Sequence, residues 1–189
     1  MSSLQHTLAK SASVSGSSLH TGEKVTLTLH PAPPGHGRKF KRGDLADEPI
    51  IEANVEHVKT VERATTLAEG NVKVQTVEHV LSALAGMGVD NVLIEMDANE
   101  PPIGDGSAQP YVELIKKAGI VEQPVPRAEY AVTEPIFIET KSGSLMTIVP
   151  DSAFRVSCTQ VGPEGRFTQY YSTEITPAIY EKEIGRAHV

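Results

Sequence analysis

The sequence predicts an α+β fold. Up to about Val121, two helical patterns are interleaved with strand patterns. A short proline-bearing stretch follows. Strand patterns then restart and dominate almost to the end, as in a second domain that is begun and left incomplete.

Residues Gln5 to Ser15 and Glu23 to His30 read as two strands joined by a turn, Ser17 to Gly22. The second strand alternates Val25, Leu27 and Leu29 with polar neighbours, the period of a half-buried strand. PAPPGHG, Pro31 to Gly37, is dense in breakers and reads as a loop. The basic run His36 to Arg42 leads to a strand region around Pro49 to Val58. Basic residues on a strand commonly protect a solvated sheet edge, and that reading is preferred here to a grip on phosphate. ERATTLAEGNVKVQTVEH suggests a hairpin turning at Glu69-Gly70-Asn71.

A helix is expected from about Thr76, with Thr76 as N-cap, ending near Gly86-Met87-Gly88. NVLIEMD is an apolar strand. In DGSAQPY, Asp105, Gly106 and Ser107 read as the turn and cap of a second helix, with Pro110 in its first turn. That helix stops at Lys116, Lys117 and Gly119. EQPVPR, 122–127, reads as a linker. YAVTEPIFIE, SLMTIVP, FRVSCTQV and RFTQYYS are strands, Tyr170 and Tyr171 being ordinary strand residues, and TPAIYEKEI is a short helical piece.

Composition narrows the function. With 17 Lys and Arg against 24 Asp and Glu, the net charge of −7 gives no general attraction to nucleic acid or anionic membrane. The lone Cys158 allows no internal disulfide, and there is neither a signal-peptide core nor a run of transmembrane length. The expected location is the cytoplasm.

The first helix carries the chemistry-bearing pair, Glu78 and His79. On a wheel of about 100° per residue, Val77, Val80, Leu81 and Leu84 form the core stripe. His79 points away from it, beside the small residues Ser82, Ala83 and Gly86. A face of small residues admits close approach by another element. A glutamate at a helix start is favoured by the macrodipole alone, and a lone histidine is more often a surface residue than a ligand. A neutral imidazole is also a good zinc ligand, and an adjacent carboxylate could accept a proton from metal-bound water. From these residues alone both readings stand open. HExxH is absent, and Gln75 occupies the first histidine position of HxxEH.

TVEHVLSALAGMGVDNVLIEMD, EPPIGDGSAQPYVE, ERATTL and SVSGSSLHTGEKVTLTLHPAP, with its Gly-x-x-Leu-His-x-Gly core at Gly16 to Gly22, resemble the UDP-3-O-acyl-N-acetylglucosamine deacetylase family of lipid A synthesis. The resemblance runs from the N-terminus to about Ile184. It implies two similar α+β domains, each a sheet layered with two helices, whose helix layers face each other across the active site. It makes 1–121 the first two-layer domain and 128–184 the truncated start of a second domain of the same type. It also implies that His79 is a zinc ligand and Glu78 the general base, and that the N-acetyl group of a UDP-linked acylated aminosugar is hydrolysed to release acetate. His20 would lie on the active-site side without a catalytic role, as a histidine hydrogen-bonded in its turn. Thr65 and Thr66 would lie at the cleft rim, supporting the pair at most.

The sequence departs from the family in several respects. The family completes its zinc site with a His-x-x-x-Asp pair. None of His6, His20, His30, His36, His57, His79 or His188 has an aspartate four residues on. The general-acid histidine and the acyl-chain passage are also absent. Gly185 to Val189 departs from the family's continuation and resembles translated sequencing-adapter DNA, so 185–189 is expected to be non-native. The expectation is an inactive, poorly soluble chain. The alternative is a binding or interaction module that keeps the fold without the chemistry. In some lineages the family is fused to a hydroxyacyl-carrier-protein dehydratase, a further candidate partner.

Overall fold

The computed structural model describes residues 3–186. The heart of these residues is a mixed sheet of β2 (Ala12–Ser17), β3 (Lys24–Pro31), β4 (Arg38–Arg42), β5 (Ile50–Glu52) and β9 (Val92–Met96), in the order β2-β3-β9-β4-β5. All neighbours are antiparallel except β4 and β9. The α+β expectation holds. One face of the sheet is apolar. Val25, Leu27 and Leu29 of β3, Phe40 of β4, Ile51 of β5 and Ile94 and Met96 of β9 are buried there. They join one core with Val80, Ala83 and Leu84 of α1 (Glu78–Gly86) and Val112 and Ile115 of α2 (Gln109–Ala118). The other face is polar and cross-linked: Ser13 pairs with Thr28 at 2.9 Å and Ser15 with Thr26 at 3.0 Å. The two-residue alternation of β3 thus divides core from solvent.

A three-stranded sheet, β6 (Val58–Thr60), β7 (Thr66–Glu69) and β8 (Val72–Val74), turns at Gly70-Asn71 as expected and delivers the chain to α1. Gly70 has φ +58°, a conformation that glycine adopts without steric cost. Both helices stop where the sequence says: Gly88 and Gly119 each take a φ of +74° just past the ends.

Four local expectations change. Gln5 to Ser15 is not one strand: β1 (Leu4–Leu8) leaves the main sheet and pairs with β10 (Ile120–Pro126), while β2 joins β3. The stretch 122–127, read as linker, is therefore mostly strand. Its prolines fit because each strand of a two-stranded ribbon has a free edge. The basic β4 is not an edge either; it lies between β9 and β5. Its charges are met within the chain: Lys39 by Glu52 at 2.6 Å, Lys41 by Glu48 at 2.7 Å and Arg42 by Asp44 at 2.7 Å. Lastly, Thr76 is not the N-cap; Val77 stands at that position, with no capping side chain.

Beyond β10, Arg127 ties the chain to the end of α1, donating to the Gly88 carbonyl at 2.9 Å and to Asp90 at 2.8 Å. Two hairpins follow, β11 (Ile136–Glu139) with β12 (Leu145–Ile148), and β13 (Arg155–Gln160) with β14 (Gln169–Glu174). Their apolar side chains are exposed, Phe137 to 73% and Met146 to 67%. A closing helical turn, Pro177–Ile179 running into Tyr180–Ile184, returns to α1. Among the described residues no helix is long and apolar enough to cross a membrane. His188 and the other residues of the expected non-native tail beyond 186 lie outside the described residues.

Candidate active site at the start of the first helix

Glu78 is the first residue of α1 and His79 the second, both half-buried. The helix is entered through an unusual backbone. Thr76 has φ +56°, although it is β-branched and 4% exposed. That conformation is sterically costly for any side chain branched at Cβ and persists only where surrounding contacts impose it.

Thr65 flanks the entry on one side. Its carbonyl accepts the Val77 N–H at 3.3 Å, and its own N–H donates to Glu78 Oε2 at 2.9 Å. Thr65 therefore supports the pair through its backbone. Thr66 begins β7, half-buried. Glu100 flanks the other side. Its side chain is fully buried and accepts from Thr76 Oγ1 at 2.8 Å, from the His20 N–H at 3.1 and 3.0 Å, and from the Thr21 N–H at 3.0 Å. Burial alone would raise its pKa. The hydrogen bonds from Thr76, Thr21 and His20 outweigh that and hold the carboxyl below the usual glutamate range. Burial, with Glu100 nearby, pushes the Tyr111 hydroxyl well above its ordinary value.

His20 thus enters the site's surroundings through its backbone; its side chain is exposed. Glu100 itself escapes a reading of the sequence. Its only local signal is a carboxylate wedged between Asn99 and Pro101-Pro102, a segment of turn composition.

The small-residue face of α1 is a docking face. Tyr180 lies against it, and a Cβ built on Gly86 would stand 2.2 Å from Tyr180 Cγ. The Tyr180 hydroxyl meets Ser82 Oγ at 2.6 Å. His79, Ser82 and Gly86 follow one another at three and four residues along that face. Ala83, grouped with them on the wheel, belongs to the core. Beside Tyr180 opens an apolar groove of about 1200 Å³ between α1 and the β13–β14 hairpin, lined in part by Ala85, Phe154, Val156, Tyr170 and Tyr171. Both tyrosines are strand residues of β14, as expected, and both are at least half exposed.

Asp105 and Ser107 form the expected turn, but the N-cap position of α2 falls to Ala108, with no capping side chain. Asp105 accepts from the Ser107 N–H at 3.0 Å and hydroxyl at 2.7 Å, and Ser107 Oγ accepts the Gln109 N–H at 3.1 Å. Among the described residues no three His, Cys, Asp or Glu side chains converge as a metal site. His79 stands there as a single imidazole.

Comparison with known proteins identifies a family for the chain. The family model for UDP-3-O-acyl N-acetylglycosamine deacetylase matches residues 5–189. The UDP-3-O-acyl-N-acetylglucosamine deacetylase of Myxococcus xanthus (strain DK1622) is 46% identical over 155 residues, covering 82% of this chain and 49% of the relative. That of Methylococcus capsulatus is 41% identical over 186 residues, 97% of this chain and 61% of the relative. The bifunctional enzyme LpxC/FabZ of Porphyromonas gingivalis is 39% identical over 184 residues, 97% of this chain and 40% of the relative. The chain thus spans about half the length of the curated relatives it matches. It belongs to the UDP-3-O-acyl N-acetylglycosamine deacetylase family.

Proposed function

We propose that Glu78 and His79 form part of a zinc-dependent site that hydrolyses the N-acetyl group of UDP-3-O-(hydroxyacyl)-N-acetylglucosamine. The products are acetate and the free amine, and the reaction is a step of lipid A synthesis in the cytoplasm. The observation that carries this reading is the Glu78 carboxylate. One oxygen, Oε2, is fixed by the Thr65 N–H at 2.9 Å, which leaves Oε1 to take a proton from water. A general base must be held at its post, and the helix start and the Thr65 backbone just before β7 would do so here.

The metal is a different matter. A catalytic zinc ion takes about three protein ligands and an open position. His79 can supply one, and no group of three His, Cys, Asp or Glu side chains converges among the described residues. These residues do not complete a zinc site, so no step through the metal follows from them. The 189-residue chain is accordingly proposed to be inactive by itself. The same deficit supports a second reading, an interaction module with the fold and without the chemistry. The Porphyromonas gingivalis relative, named a bifunctional enzyme, supports a proposal that a dehydratase partner can accompany this domain.

The test uses a chain that carries the remainder of the family sequence. Glu78→Gln should lower kcat by about 10²-fold or more with little change in KM, the usual loss for a general base. A fall of less than tenfold would remove Glu78 from that role. Absence of deacetylation by the unmutated extended chain would favour the interaction module.

A further inference from the structure

Among the described residues, the buried titratable groups that the proposed chemistry leaves unused include Glu100. Glu100 is fully buried, and the donors it gathers come from two separate pieces of chain. The backbone N–H groups of His20 and Thr21 belong to the turn between β2 and β3, and Thr76 Oγ1 belongs to the entry into α1. The backbone beside it is also joined, Gln75 N–H donating to the Asn99 carbonyl at 2.9 Å. Thr76 holds a positive φ that its branched side chain opposes, and Glu78 follows two residues later.

We infer that Glu100 is a positioning residue. Through Thr76 Oγ1 it holds the left-handed turn that aims Glu78 at the Thr65 amide. It does not touch the reacting atoms. The inference rests on the deacetylase reading only for what Glu78 does; the clamp is a statement about backbone placement and is testable without activity.

α1 has no side-chain N-cap, so its first turn lacks the usual device that fixes where a helix begins. A threonine free to relax would leave the left-handed region, and Val77 and Glu78 would rotate with it. Thr65 would then lose both of its bonds to the helix start, from the Val77 N–H and to Glu78 Oε2. A carboxylate suits the task because it accepts several hydrogen bonds at once, and its donors here come from both segments. Glutamine in its place keeps the size but offers one accepting oxygen and brings two donors of its own.

The experiment is amide hydrogen exchange by NMR on the whole 189-residue chain, reading Thr65 against the core amides of Ile94 and Val112. Thr76→Ala removes the hydroxyl and retains the Cβ that opposes positive φ. Thr76→Gly removes the hydroxyl and the opposition together. Thr65 protection should fall at least tenfold in Thr76→Ala and less than threefold in Thr76→Gly, with Ile94 and Val112 changed less than twofold in both. Glu100→Gln should behave like Thr76→Ala, and adding Thr76→Gly to it should restore Thr65 protection. Equal losses in the alanine and glycine variants, or losses at Thr65 no larger than in the core, would overturn the assignment and reduce Glu100 to a general anchor. Because the alanine and glycine variants keep the buried carboxylate, this comparison decides the matter even where Glu100→Gln does not fold. In an extended chain, loss of activity in Thr76→Ala with recovery in Thr76→Gly separates misaimed chemistry from a failed deacetylase reading, in which no variant is active.

Discussion

Gly86→Ala tests the docking face of α1. Gly86 has ordinary helical backbone, so alanine suits the helix itself and favours it by about 0.5–1 kcal/mol. The added methyl, however, would occupy the place of the Tyr180 ring, 2.2 to 2.5 Å from three of its carbons. The ring must leave. Tyr180 is 4% exposed, and uncovering a side chain of that size costs about 1.5–3 kcal/mol. Losing its bond to Ser82 costs about 0.5–1.5 kcal/mol more. The helix gain is common to the docked and detached states and cancels, so the docking of 176–185 weakens by about 2–4.5 kcal/mol, a roughly 30- to 2000-fold rise in the detached population. Hydrogen exchange at the Tyr180 and Gly185 amides, which donate to the Thr176 and Tyr180 carbonyls, reads that population directly. In a Tyr180→Ala background the same substitution should become stabilising, by about 0.5–1 kcal/mol. Unchanged exchange in Gly86→Ala, or the same destabilisation with and without Tyr180, would refute the reasoning.

Other outcomes follow from the same geometry. Ile94→Ala, at the fully buried centre of β9, should cost about 2–5 kcal/mol in a urea melt, and a loss under about 1 kcal/mol would mean the sheet collapses onto the gap. Glu100 has a folded pKa below its unfolded value. Its contribution is therefore complete above the ordinary glutamate pKa of about 4.3 and is lost as pH falls through the depressed folded value. Urea midpoints measured downward from about pH 6 should show an acid limb that Glu100→Gln flattens. Zinc added to the 189-residue chain should leave its melting temperature unchanged, since one imidazole gives too little affinity to shift the folding equilibrium; a saturable rise would mean that further ligands assemble.

What could be read from the sequence was local. The period of β3 located Val25, Leu27 and Leu29, and the wheel placed Val77, Val80 and Leu84 in the core. Gly70, Gly88 and Gly119 marked a hairpin turn and two helix ends because each supplies a backbone conformation that other residues resist. What escaped was set by partners distant in the chain. Nothing in RKFKR tells whether β9 or solvent lies beside it, and the prolines of EQPVPR hide a strand whose partner is the N-terminus. The Glu-His pair drew notice for its unusual face, and the roles proposed for it came from the family resemblance. Its supports were not legible: Thr65 acts through its amide, which any residue type other than proline would offer, and Glu100 is buried only because two distant segments deliver donors to it.

The β1–β10 ribbon has a consequence for synthesis. Leu8 faces Ile120 across it, more than a hundred residues later, and the His6 carbonyl accepts from both Asp90 and Asn91. A nascent chain leaving the ribosome carries β1 out first and must keep it unpaired until β10 appears. The strands of the main sheet are complete by Met96 and can pair earlier. β1 is thus made long before the partner that secures it, an exposed edge for as long as the intervening residues take to be translated. Slow codons placed before β10 would lengthen that exposure, and fast ones would shorten it.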